Sequence, residues 1–255
     1  MIPIHDAAAL GIVALVVTLG AAVQSAIGFG MGMVVVPLLL WSGRSLPEAV
    51  ALLLAASLVQ TAYGTWTVRA EVPWRTTLPV AAAQWAFVPL GVAGMVMLSE
   101  ARPGVVDQAV GGIVGGVLVL RAVFRPRPRP QLARGWGLLA GAGAGFLAGL
   151  VGMGGPPIVL YALAHAWSKD RFRGFLWSSF LLVLPAATAV LVWRQGAELL
   201  RWSLLGLLLT PCPWLGSMAG LAVSRRWAVE RVRLVAMGTL ALIVAWSVLG
   251  PIVRG

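Results

Sequence analysis

Long runs without a single Arg, Lys, Asp or Glu alternate along the chain with short charged connections. The uncharged runs are Ala7–Gly43, Ala49–Val68, Thr76–Leu98, Gln108–Leu120, Gly135–Ser168, Gly174–Trp193, Trp202–Ser224 and Leu234–Val253, about eight hydrophobic segments. A helix needs about 20 apolar residues to cross a bilayer. Six segments fit one crossing, the fourth by borrowing Val105–Asp107. The first and fifth, about 37 and 34 residues, exceed what tilt absorbs. Each carries a helix-breaking cluster near its middle: Gly28, Gly30 and Gly32 with Pro37, and Gly152, Gly154, Gly155, Pro156 and Pro157. The pattern predicts an all-α integral membrane protein whose first and fifth segments are broken or re-entrant. The longest polar connection is about 14 residues, so no soluble catalytic domain is expected.

Composition sharpens this picture. The 255 residues are 60% hydrophobic and 11% charged, against roughly 25% charged in a soluble domain. Mean hydropathy is +0.92. Lys and Arg number 19 against 8 Asp and Glu, a net charge of +11. In a soluble protein that would suggest nucleic acid; in short loops between apolar spans it reports orientation.

If both long segments cross once, the basic residues divide 10 and 9, with no bias. If each enters and returns to its own side, 14 of them gather on one face, from Arg69 and Arg75 through Arg121–Arg134, Lys169–Arg173 and Arg225–Arg233. The other face keeps Arg44, Arg102, Arg194, Arg201 and Arg254. The hairpin arrangement obeys the positive-inside rule and places both termini outside the cytoplasm. Met1–Asp6 has no Lys or Arg, so the first span is read as retained rather than as a cleaved signal. The expected home is a bacterial inner membrane. One Cys, Cys212, and two His argue against a disulfide framework or metal cluster, and no cofactor is expected.

The two interrupted segments lie about 124 residues apart, so that Gly28 falls on Gly152 and Gly30 on Gly154. Trp74 then matches Trp202, Leu90-Gly91 matches Leu215-Gly216, and Gly112 matches Gly238. The chain reads as two homologous halves, residues 1–124 and 135–255, joined by the Arg/Pro-rich stretch 125–134 on the cytoplasmic side. One hairpin and three crossings per half is an odd number of crossings, so the halves become inverted repeats, a pointer to a transporter.

At these residues the chain resembles the TauE/SafE sulfite-exporter family of membrane permeases. The resemblance covers nearly all of it and rests on Gly28-Phe29-Gly30-Met31-Gly32 with Val36-Pro37-Leu38-Leu39, and on Gly149, Gly152 and Gly154-Gly155-Pro156-Pro157 with Leu160-Tyr161. The first motif departs from the family's usual run of consecutive glycines, since Met31 and Met33 are interleaved. The resemblance implies secondary transport of small sulfur-containing anions such as sulfite, thiosulfate or short organosulfonates, exported more naturally than imported.

An anion in a membrane must exchange water for fixed donors. Helix N-termini supply free N–H groups and a positive dipole end without a buried Arg. Pro37, and Pro156 or Pro157, are placed to open half-helices after each break, and two such half-helices would share the anion. Gln24, Ser25, Gly28, Phe29, Gly30 and Gly32 in the first half, with Gly152, Gly154, Gly155, Pro156 and Tyr161 in the second, form the candidate substrate site. Ser57, Gln60, Ser178 and Ser179, in the spans after each break, are second contributors. The glycines at 137, 141, 145 and 149 recur every fourth residue and read as a packing stripe. Eight of the twelve Trp sit at span ends as an aromatic belt.

His165 reads as interfacial, with proton coupling the alternative. A coupling ion, proton or sodium, is left open, as is the oligomeric state; membrane lipid is an expected partner and nucleic acid is not. A passive anion channel could use the same dipoles. An intramembrane enzyme would need a nucleophile and base that these spans lack, so the chain is not expected to be an enzyme.

Overall fold

The computed structural model of the protein describes residues 7–27, 30–123, 128–129, 132–227 and 229–254. Among them the chain is helical throughout: α1 (Ala7–Ile27), α2 (Met31–Trp41), α3 (Leu46–Thr67), α4 (Trp74–Ser99), α5 (Pro103–Val123), α6 (Arg134–Val151), α7 (Gly155–Leu163), α8 (Lys169–Gln195), α9 (Glu198–Leu208), α10 (Pro211–Arg226) and α11 (Val229–Arg254). Five of these helices, α1, α3, α4, α6 and α8, are long and apolar enough to cross a membrane. A sixth span arises if α9 and α10, bent by 48° at their junction, are taken together. The apolar parts of α5 and α11 are shorter, Gly104–Leu120 and Met237–Pro251. The chain is a multi-pass membrane protein.

The seventh segment, expected to have the length of one crossing, is bent within that length. Pro211 and Pro213 sit together at the start of α10, where a ring in place of an N–H ends the preceding hydrogen-bond ladder. Gly196 and the two prolines, rather than charge, punctuate this part of the chain.

The first long segment divides into α1 and α2, and the fifth into α6 and α7. Each second helix doubles back along the first. A methyl on Gly20 of α1 would collide with the Val35 side chain of α2 and sit 3.2 Å from the Met31 carbonyl. One on Gly143 of α6 would lie 3.6 Å from the Pro157 ring, and one on Gly137 would lie 2.9 Å from the Tyr161 hydroxyl, a turn further along α7. Pro156 stands in the first turn of α7 as expected. Pro37 does not open α2 but lies inside it, buried. The start of α2 is set instead by Gly30, whose φ of 109° a side chain would strain.

Lipid tails supply no hydrophobic drive between helices, so close approach of small residues holds such a bundle together. The glycine stripe of α6 lies along α4: methyls on Gly145 and Gly149 would run into the carbonyls of Gln84 and Val88. Gly216 and Gly220 bring α10 against the Thr18 and Ala22 carbonyls of α1, and Gly206 brings α9 against the Leu52 carbonyl of α3. On α4, the Trp85 indole donates to the Leu182 carbonyl of α8 at 2.8 Å. Two pairs run antiparallel. Gly64 of α3 faces Trp177 of α8, while Gly174 faces Val72, just beyond α3. Gly104, Gly111 and Gly115 of α5 face Pro251, Ser247 and Val244 of α11.

The N-termini of α3 and α8 are closed by polar caps. The Ser45 N–H donates to the Glu48 carboxylate at 2.9 Å, so Glu48 serves its own helix rather than Arg44. Ser168 Oγ accepts from the Arg171 N–H at 3.2 Å. Arg129, between α5 and α6, is pinned to the loop after α7: its N–H donates to the Ala164 carbonyl and its carbonyl accepts from the Ala166 N–H.

Replacing Gly145 by Ala should drive α6 off the α4 backbone and cost about 1–3 kcal/mol, the usual penalty of overpacking. Gly112→Ala, on an α5 position with nothing within 4 Å, should instead be neutral or gain about 0.5–1 kcal/mol from the removed glycine. Thermal unfolding of the two purified variants in detergent reads the difference.

Candidate binding site between the helix breaks

The two breaks meet inside the bundle. A methyl on Gly32, at the start of α2, would lie 2.9 Å from the Gly152 carbonyl and 3.2 Å from the Met153 side chain. Between them is a cavity of about 80 Å³, several times the ~10–15 Å³ that admits one water. Its walls come from six helices and the two breaks. α1 gives Gln24, the first break and α2 give Gly30 to Met33, and α3 gives Leu53, Leu54, Ser57 and Thr61. α6 gives Ala148, the second break and α7 give Gly152 to Pro156, and α8 gives Phe180, Val183 and Leu184. No Arg, Lys, Asp or Glu is among them.

The chemistry of the two breaks differs. α6 closes its own end: Gly152 turns left-handed at φ 70°, its N–H returns to the Ala148 carbonyl at 3.0 Å, and the Met153 N–H returns to Leu147 at 3.1 Å. The left-handed glycine with its N–H on the carbonyl four residues back is an αL closure of the helix end. α2 has no such closure at its start. Gly30 carries no side chain to cap it, and the first-turn N–H groups of a helix have no partner within the helix. Met31, Gly32 and Met33 therefore bring N–H donors to the cavity wall. α7 brings fewer, because Pro156 and Pro157, in its first turn, have no N–H.

Gln24 is the notable side chain. It is only 8% exposed, lines the cavity, and its amide makes no hydrogen bond among the described residues. Ser57 donates to the Leu53 carbonyl at 2.8 Å and contacts the Met31 sulfur at 3.4 Å. A hydroxyl held this way within its own helix can swing to another acceptor.

Of the residues expected at the site, the structure thus gathers Gln24, Gly30, Gly32, Ser57, Gly152, Gly154, Gly155 and Pro156. Gly28 and Phe29 lie outside the described residues. Ser25 is half-buried off the cavity wall. Gln60 donates to Ser217 Oγ at 2.7 Å, tying α3 to α10. Ser178 donates to the Gly174 carbonyl at 2.6 Å, and Ser179 is buried on the same helix without lining the cavity. Tyr161 packs edge-on against His165 and tilted on Phe175, away from the breaks.

His165 donates through Nδ1–H to the Tyr161 carbonyl, 3.0 Å away, and stacks on Trp167 at 4.0 Å between centroids. Burial pushes its pKa below the ordinary value; the Tyr161 hydrogen bond opposes this and the Arg171 charge adds to it. It sits in the connection after α7, apart from the cavity.

Sequence reasoning missed Thr61 and the apolar wall. Helical spacing held the signal: Leu53, Leu54, Ser57 and Thr61 share one face of α3.

The comparison with known families returns one described as Sulfite exporter TauE/SafE, whose model matches residues 12–247. No curated protein and no solved structure matches the chain.

Gly43 and Gly152 share positive φ, 83° and 70°, but a methyl on Gly43 meets nothing within 4 Å whereas one on Gly152 lies 3.0 Å from Leu53. Gly43→Ala should lose only the left-handed penalty of about 1–2 kcal/mol, and Gly152→Ala visibly more. Paired melting curves test this.

Proposed function

Since the chain belongs to the TauE/SafE sulfite exporter family, we propose that it is a secondary transporter, working as an exporter, of small sulfur-containing anions held between the two breaks. Sulfite, thiosulfate and short organosulfonates are the candidate substrates, and a proton or sodium gradient the drive. The observation that carries this reading is the wall formed by Gln24 and the open first turn of α2. A buried amide with no partner among the described residues, beside the uncapped first turn of α2, is a donor set suited to an anion. Such groups stabilise negative charge, where even a lenient scale sets a charge at the membrane centre at roughly 2.5–3.5 kcal/mol. The absence of Arg and Lys from the lining keeps the anion from being trapped in an ion pair, as turnover requires.

The two halves, 1–124 and 135–255, act in this reading as inverted repeats joined through 125–134, each with one re-entrant hairpin. Support comes from helix direction. α3 and α8 occupy equivalent places and run antiparallel, as do α5 and α11; an axis in the membrane plane requires this and an axis along the membrane normal forbids it. α10 lies along α1 as α4 lies along α6. The orientation follows from charge: a bacterial inner membrane, both termini periplasmic, and the basic connections at 69–75, 121–134, 169–173 and 225–233 cytoplasmic.

Proteoliposomes loaded with sulfite, thiosulfate, sulfoacetate, taurine, sulfate or chloride test the transport reading. The expected result is saturable, gradient-dependent flux of a sulfur anion. Gln24→Leu should weaken its binding by about tenfold or more, the worth of a hydrogen bond to a charged group. The same change should leave the melting temperature equal or higher. Flux that neither saturates nor follows a gradient would assign a channel instead.

Single-cysteine labelling in spheroplasts tests the orientation. A Cys in the 125–134 connection should be protected from an impermeant reagent and one at Gly255 labelled. The reverse pattern overturns the hairpin arrangement.

A further inference from the structure

Positive charge collects where α3 ends and α8 begins. The turn Arg69–Glu71 that follows α3 is pressed against the first turns of α8, where a methyl on Gly174 would lie 3.2–3.3 Å from the backbone of Glu71 and Val72. That approach brings Arg69 and Arg75, from one connection, to the same corner as Lys169, Arg171 and Arg173, from another about 100 residues later. All five side chains are exposed. Glu71 and Asp170 are the acids of these two stretches, and none of the seven forms an ion pair among the described residues. Like charges gathered in this way repel one another. The positive-inside rule accounts for the sign of each connection, but it does not ask two distant connections to converge with so few acids between them.

The corner also stands at the depth of lipid headgroups. Trp66 and Trp74 are 64% and 44% exposed there, and an exposed indole near a span end belongs at the membrane–water interface. Arg69 folds back over the Trp66 ring at 4.2 Å and donates to the Trp66 carbonyl at 3.1 Å. Its guanidinium is thereby held beside that ring rather than extended into water. A guanidinium matches the oxygens of a phosphate two at a time. At the far end of α8 the gathering is not repeated: Arg194 lies 5.9 Å from the Trp193 ring, and only Arg201 follows nearby, with Glu198 between them.

We infer that this corner is a headgroup site for an anionic phospholipid, whose phosphate bridges Arg69 and the basic first turns of α8. A headgroup held there ties together α3 and α8, two of the helices that line the cavity. The charge-based orientation above places it in the cytoplasmic leaflet, while the site itself rests on where these residues stand.

The test is binding of phosphatidylglycerol, phosphatidylcholine with the same acyl chains, and inorganic phosphate to the purified, delipidated full-length protein in detergent. Native mass spectrometry reads retention and thermal unfolding reads stabilisation. Phosphatidylglycerol should be retained more strongly than phosphatidylcholine and should raise the melting temperature more. Arg69→Gln combined with Arg173→Gln should weaken phosphatidylglycerol by about tenfold or more, given what each basic residue contributes near an anionic lipid, and leave phosphatidylcholine unchanged. Arg194→Gln combined with Arg201→Gln, at the far end of α8, should change neither. Equal binding of the two lipids, or a preference that survives the Arg69 and Arg173 changes, overturns the site. Inorganic phosphate stabilising as well as phosphatidylglycerol overturns the lipid as its occupant. The lipid comparison in the unaltered protein decides the matter even if the double variant does not fold. Detergent has no leaflets and the assay involves no flux, so failure here leaves the orientation and transport readings standing.

Discussion

Backbone groups freed where a helix stops inside a membrane have no water to turn to, and the architecture of this protein follows from how each such group is treated. α3 and α8 begin with Ser45 and Ser168 beside polar connections and are capped there. α6 ends inside the bundle and folds its last carbonyls back on Gly152 and Met153. α2 starts in the interior without a side-chain cap, as does α7, and the start of α2 faces a cavity lined by Gln24, which also lacks a partner among the described residues. The open start of α2 beside Gln24 is what supports placing the transported anion there.

Glycine serves two separable purposes in this bundle. At Gly145, Gly149, Gly216 and Gly220 a methyl would strike the backbone of a neighbouring helix, so absence of a side chain sets the distance between helices. At Gly30 and Gly152 the backbone itself is left-handed, so glycine sets a direction, turning the chain out of one helix and into the next. Changing the first kind separates helices; changing the second moves the cavity wall. Gly32 belongs to both kinds of argument, because it sits in the first turn of α2 and its missing methyl leaves room for the Gly152 carbonyl.

The helical membrane character and the places of the two long interruptions were legible because charge-free runs and clustered Gly and Pro act locally. The bend between α9 and α10 was not, since Trp202–Ser224 has the length of one span and hydropathy does not register direction. Pro37 misled for a related reason: proline forbids a donor but does not say whether a helix begins or merely continues through it. Among the candidate site residues, Gln24, Ser57 and the glycines were readable from proximity to the breaks. Ser178 and Ser179 were not placed correctly relative to the cavity, because a serine hydroxyl can satisfy its own helix, as Ser178 does at Gly174. The apolar wall of Phe180, Val183 and Leu184 escaped notice because attention to polar side chains cannot find a surface defined by their absence.

The helix pairings also constrain how the cavity can be reached. α4 belongs in sequence to the first half but packs on α6 and α8, and α9 and α10 belong to the second but pack on α3 and α1. Parting the chain into its sequence halves would therefore tear the glycine contacts between α4 and α6 and between α10 and α1, where backbones touch and little rearrangement is tolerated. The compact bodies are instead α1, α2, α3, α9 and α10 on one side and α4, α6, α7 and α8 on the other. Between them run the antiparallel α3–α8 seam and the cavity itself, with α5 and α11 paired separately. The α3–α8 contact includes Gly64 against the Trp177 ring and Gly174 against the backbone of Val72, just beyond α3.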